Sequence, residues 1–209
     1  MNTSLIFRVI VIAIMLVLIP LVLALFFQKI DTELDIKLRK KDIIIFCIVG
    51  IVASILLSIQ YKGFELFNVA FVMAYLIFMS YTDQKTQLLY NICSVIQFIY
   101  QIAILIIYRH GIGNYELFIF IVPAIFFIVS LLGGIGMGDV LIYFVLAVFS
   151  LNFKSTPIFF LIYIILFANV VFIITSIIYK IITKDKKKHL PLTIYIAISY
   201  FVCNVFIIM

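Results

Sequence analysis

Charge is scarce in this chain and tryptophan is absent. Asp, Glu, Lys and Arg make up 11% of the 209 residues, 67% are hydrophobic, and the mean hydropathy is +1.36. A soluble domain is about 25% charged and about 45–50% apolar. A soluble globular fold is therefore excluded and an integral membrane protein is implied, with no length left over for a soluble domain. The aromatic content comes from 22 Phe and 12 Tyr. Cysteine is sparse: Cys47, Cys93 and Cys203 lie singly inside apolar runs, with no CxxC spacing and no His nearby. They read as small buried apolar residues rather than as a disulfide or metal site. The only histidines, His110 and His189, fall in loops and leave no pair for zinc. No metal and no cofactor are expected.

The net charge of +6 does not indicate nucleic acid. The basic residues cluster in short loops between apolar segments, the pattern that orients a membrane protein and contacts anionic lipid. Apolar runs at or near the length needed to span a bilayer, about 17 residues or more, occupy 5–27, 43–60, 65–82, 88–108, 115–132, 139–153, 156–181 and 191–208. The expected fold class is all-α: a single integral membrane domain over 1–209 with about eight transmembrane helices. Short loops make consecutive helices antiparallel neighbours. The first run carries Arg8 and no small-x-small cleavage site, so it reads as a retained helix.

Eleven of the 15 basic residues fall on one side: Lys29, Lys37, Arg39, Lys40 and Lys41; Lys85; and Lys180, Lys184, Lys186, Lys187 and Lys188. Arg8, Lys62, Arg109 and Lys154 fall on the other. The richer side is expected to be cytoplasmic, with both termini facing outward. Asp83 and Asp139 then both lie at the cytoplasmic face, each at the edge of an apolar run. Ionisable residues at membrane depth are functional candidates by default. The run after Asp139 reaches Asn152 and Lys154 too soon to span about 30 Å of hydrocarbon. That shortness suggests that the Gly-rich segment before Asp139 dips into the membrane, buried between helices.

Two carboxylates that meet in a low-dielectric site cannot both ionise easily, so their pKa values split. One can then take a proton from water while the other donates to a scissile carbonyl. The bland alternative for Asp139 is an N-cap after a Gly-rich turn; for Asp83 it is an interfacial residue closing a short loop. The other acidic residues are read as belonging to polar loops (Asp31, Glu33, Asp35, Asp42, Asp185) or to the opposite face (Glu65, Glu116).

The stretch Asp83-Gln84-Lys85-Thr86-Gln87-Leu88-Leu89-Tyr90-Asn91 resembles the first aspartate motif of the type IV prepilin peptidases. Gly133-Gly134-Ile135-Gly136-Met137-Gly138-Asp139-Val140 is similar to their second, Gly-Gly-x-Gly-x-Gly-Asp-Val, and Lys188-His189-Leu190-Pro191-Leu192-Thr193-Ile194 to the approach to their last helix. The resemblance covers about 65–208, in the family's order. It implies a membrane aspartic endopeptidase of the bacterial inner membrane, serving a type IV pilus or protein secretion system. Such an enzyme cuts the basic leader from prepilin or pseudopilin substrates at the cytoplasmic face. Asp83 and Asp139 carry over as the catalytic pair, and Gly136 and Gly138 as the loop that accommodates the substrate strand. Tyr90 departs from the usual Pro, Leu141 from a common Lys, and Pro191 lacks a second Gly-Pro nearby. Many relatives also methylate the new N-terminus through a cytoplasmic domain with paired CxxC motifs. Here the loop 28–42 is short and cysteine-free, so no methyltransferase activity is expected.

The same loop 28–42 reads as a solvated connector with lipid-facing cations, and the tract 184–188 as a stop-transfer anchor. Two other readings compete. A presenilin-like protease also uses Gly-x-Gly-Asp, but its first aspartate usually follows Tyr directly, whereas Thr82 separates Tyr81 from Asp83. A proton- or cation-coupled transporter also uses intramembrane aspartates and broken helices. No internal repeat and no further polar cluster near the midplane are expected to support it.

Overall fold

Apolar runs without interior glycine clusters leave the backbone one way to satisfy itself in lipid, which is to form helices. The computed structural model describes residues 3–30, 38–86, 90–108, 113, 115–133, 136–183 and 190–206, and among these residues it is all-helical, with no strand. The helices are α1 (Thr3–Ile30), α2 (Lys40–Gln60), α3 (Gly63–Thr86), α4 (Asn91–Tyr108), α5 (Ile121–Leu131), α6 (Met137–Phe153), α7 (Pro157–Thr183) and α8 (Thr193–Phe206). A 3-10 helix, Glu116–Phe120, precedes α5. Asp31, Glu33, Asp35, Lys37, Arg109, His110, Gly134, Ile135 and the tract 184–189 lie outside the described residues.

Five helices, α1, α2, α3, α4 and α7, are long and apolar enough to cross a membrane. Eight spans are not confirmed: the three remaining runs form shorter apolar helices. At a rise of about 1.5 Å per residue, the 17 residues of α6 are at the lower limit for a span and the 14 of α8 are below it. In the run 115–132, Pro123 lacks an N–H and would clash with a continuous α-helix on its N-terminal side. The chain enters there by the 3-10 turn instead, and α5 keeps only 11 residues. α8 starts at Thr193, two residues after Pro191.

The chain divides into two compact units. The first is Met1–Gln87 with Lys187–Ile208, and holds α1, α2, α3 and α8. Its centre is α3, buried nearly throughout from Leu66 to Asp83 and packed on α1, α2 and α8. The stripe Ile12, Leu16, Pro20 and Ala24 faces inward from α1 at i+4 spacing. Gly50 of α2 lets the two helices approach: a Cβ there would come 2.7 Å from Val17 Cγ2. Gly63 opens α3 at φ 55, a conformation that suits glycine.

The second unit, Leu88–Lys186, is built on α6, which packs on α4, α5 and α7. Val145 to Leu151 of α6 are all buried. Phe126 stacks on Tyr143 at 5.0 Å. At the end of α6, Lys154 is 7% exposed and its ammonium lies 4.6 Å from the centre of the Phe160 ring, a cation–π contact. The three cysteines are in no disulfide, Cys93 and Cys203 buried and Cys47 half-buried.

Candidate functional site

Asp83 lies inside α3, in its last turn, rather than at the start of a loop as the apolar run suggested. It is 9% exposed. Its Oδ2 accepts a hydrogen bond at 3.2 Å from the backbone N–H of Thr193, the first residue of α8. The first N–H groups of a helix have no partner within it and carry the positive end of the macrodipole. A carboxylate placed there satisfies a donor and offsets part of its own burial. The residues around it on α3 satisfy themselves locally: Ser80 Oγ donates to Leu76 O at 2.7 Å and Thr82 Oγ1 to Met79 O at 2.9 Å.

Asp139 is the third residue of α6, half-buried, and the helix is capped by Gly136. The N-cap alternative for Asp139 is thus corrected: Gly136 takes the extended cap position (φ −66, ψ 137), and Asp139 sits one turn in. A first-turn carboxylate is favoured by the macrodipole. Gly136 has no positive φ, so its backbone does not demand glycine. What it provides is room, because a Cβ at Gly136 would stand 3.3 Å from Asp139 Oδ2. Gly138 is helical, the second residue of α6. Of the motif's described glycines, the one with positive φ is Gly133, at 79°. The expectation of a buried Gly-rich loop is not met at its described ends, since Gly133 and Gly136 are both exposed.

The two aspartates belong to different units, Asp83 to the first and Asp139 to the second. Among the described residues, no group of three or more His, Cys, Asp or Glu is placed to hold a metal.

Two residues near Asp83 in sequence or fold were misread from sequence. Asp42, assigned to a polar loop, is in the first turn of α2 and only 6% exposed. Its Oδ2 accepts from Lys85 Nζ at 3.0 Å and from the Arg39 backbone N–H at 2.9 Å. Lys85, counted only as a loop charge, thereby ties the end of α3 to the start of α2, with its ammonium 5.4 Å from the Tyr81 ring centre. The Arg39-x-x-Asp42 spacing ahead of an apolar run was the available signal, because an acid three residues after a cap closes a capping box. The role of Thr193 left only one trace, Pro191 just before a helix start.

Beside this cluster, α2, α3 and α8 enclose a cavity of about 290 Å³. Ile45, Val49, Ile77, Ile194, Ala197 and Phe201 are among the apolar residues of its wall. In the second unit, Gln97 and Gln101 are buried on α4, and Asn152 Nδ2 of α6 donates to Gln101 Oε1 at 3.0 Å. That polar group was not foreseen from sequence. No protein-family model, curated protein or solved structure matches the chain.

Proposed function

We propose that the protein is a membrane aspartic endopeptidase of the prepilin-peptidase type, with Asp83 and Asp139 as its catalytic pair. The observation that carries the reading is the Gly136-x-Gly138-Asp139 start of α6, where the carboxylate is set in the first helical turn beside a glycine that leaves it uncrowded. The buried, hydrogen-bonded carboxylate of Asp83 at the end of α3 supports it.

In this mechanism one carboxylate takes a proton from water as the water attacks the scissile carbonyl. The other, protonated, donates to the carbonyl oxygen and then to the leaving amine. The substrate is a prepilin or pseudopilin with a basic leader, cut at the cytoplasmic face of a bacterial inner membrane. Gly136 and Gly138 line the approach of its extended strand. The peptidase core spans about 65–208 and the remaining helices anchor it.

An ion-coupled transporter is the second reading, drawing on the buried Gln97 and Gln101 and the half-buried Asn152. Co-expression with prepilins separates the two. The peptidase shortens the substrate by its leader, seen as a gel shift, whereas a transporter leaves it intact.

A further inference from the structure

We propose that the groove between α2, α3 and α8 is a binding site for one anionic glycerophospholipid, its acyl chain in the groove and its phosphate at the basic rim. The inference stands independently of the proteolytic reading.

The groove has a direction. Its walls come from the first turns of α2 (Asp42 to Val49), the last turns of α3 (Met73 to Gln84) and the first turns of α8 (Ile194 to Phe201). At the far end α2 and α8 are tied together: Gln60 Nε2 donates to Val205 O at 3.2 Å, and the Tyr61 hydroxyl to Asn204 Oδ1 at 2.9 Å. The groove runs from the side of these contacts toward the polar residues Asp42, Ser80 and Gln84. A phospholipid has the same polarity along its length.

Size and charge agree with that occupant. A water's share of liquid volume is about 30 Å³. The groove's volume of about 290 Å³ has room for several such units, enough for part of an acyl chain. The walls are apolar, and Ile45, Val49 and Ile198 remain partly exposed along the opening, at 54%, 36% and 43%. At the polar end Arg39, Lys40 and Lys41 are exposed at the start of α2, and Lys85 stands half-buried beside them. The Asp42 carboxylate is bound to Lys85, which leaves the three exposed cations in excess among the described residues. An excess of Lys and Arg beside an apolar slot selects an anionic headgroup over a zwitterionic one.

The test is lipid retention by the full-length protein in mild detergent. Phosphatidylglycerol and phosphatidylcholine of matched acyl chains are supplied in equal amounts, and bound lipid is quantified by mass spectrometry. The wild type is expected to retain phosphatidylglycerol in preference, by about fivefold for each engaged basic residue. Val49→Trp fills the groove from its exposed edge and is expected to lower retention of both lipids at least fivefold. Lys40→Gln with Lys41→Gln leaves the groove intact and is expected to lower the headgroup preference at least fivefold while retaining lipid. Equal retention by the wild type and Val49→Trp overturns the site, as does an unchanged preference in the lysine variant. A photo-crosslinking residue at Ile45 covers the remaining occupant: adducts in cells to a protein helix instead of lipid overturn the assignment.

Discussion

Asp83 does two jobs in this account, and one substitution separates them. Its carboxylate holds the first N–H of α8, and α8 packs on α3. Asp83→Ala removes the acceptor and leaves that buried N–H without it. A charge-assisted hydrogen bond contributes about 1.5–3 kcal/mol, and losing a side-chain cap costs about 0.5–2 kcal/mol, so the expected loss is about 2 kcal/mol. Asp83→Asn keeps an oxygen in the same place. It gives up the charge assistance, but burying a neutral amide costs less than burying a carboxylate. Its expected loss is about 1 kcal/mol or less.

For a chain of this size, about 1 kcal/mol corresponds to roughly 2–4 °C in Tm. The Ala variant should melt about 4–8 °C below wild type and the Asn variant within about 4 °C of it. Cys203 supplies the probe, because it is on α8 and fully buried. In a background lacking Cys47 and Cys93, a thiol-reactive fluorophore reports α8 coming away from α3. Equal melting of Ala, Asn and wild-type proteins would refute the cap. An Asn variant as unstable as Ala would show that the charge, and not the acceptor, is what α8 needs.

Three further outcomes are expected. Gly136→Ala brings a methyl group to about 3.3 Å from Asp139 Oδ2, so cleavage per inserted molecule should fall about tenfold or more with expression unchanged, measured against prepilin turnover. Asp42→Asn or Lys85→Met should each cost about 1–2 kcal/mol, between the values for exposed and buried pairs. The double variant should lose no more than the worse single one in the same melting assay. Topology is best read by cysteine labelling at Lys41 for the cytoplasmic side and at Lys62 and Ser155, both exposed, for the outer side. Labelling of Ser155→Cys from inside the cell would reverse the orientation assigned to both aspartates.

What sequence could show divides along physical lines. The all-helical membrane character was legible because it rests on composition summed over long runs. Helix length was not, because Pro123 shortens a run by its missing N–H, and hydropathy does not register that. Asp83 and Asp139 stood out because carboxylates at apolar edges are costly and rare. Asp42 was hidden because it abuts the lysine-rich stretch Lys37–Lys41, where any acid looks like a loop residue; its burial depends on Lys85, 43 positions away. The hydrogen bond from Thr193 to Asp83 spans 110 positions, and no local pattern encodes it. The glycine motif was recognisable, but its backbone was not: positive φ falls at Gly133, and the contribution of Gly136 is space beside a carboxylate.

The most direct test of the central claim is prepilin cleavage by Asp83→Asn, Asp139→Asn and the double variant. Each is co-expressed with a substrate bearing a basic leader and scored by gel shift per folded molecule, with Glu116→Gln as a control. The account predicts that each single Asn variant abolishes cleavage, that the double variant is no worse than either, and that the control is unaffected, because the two carboxylates act as one unit. Substantial cleavage by either single Asn variant, at wild-type levels of folded protein, would contradict it.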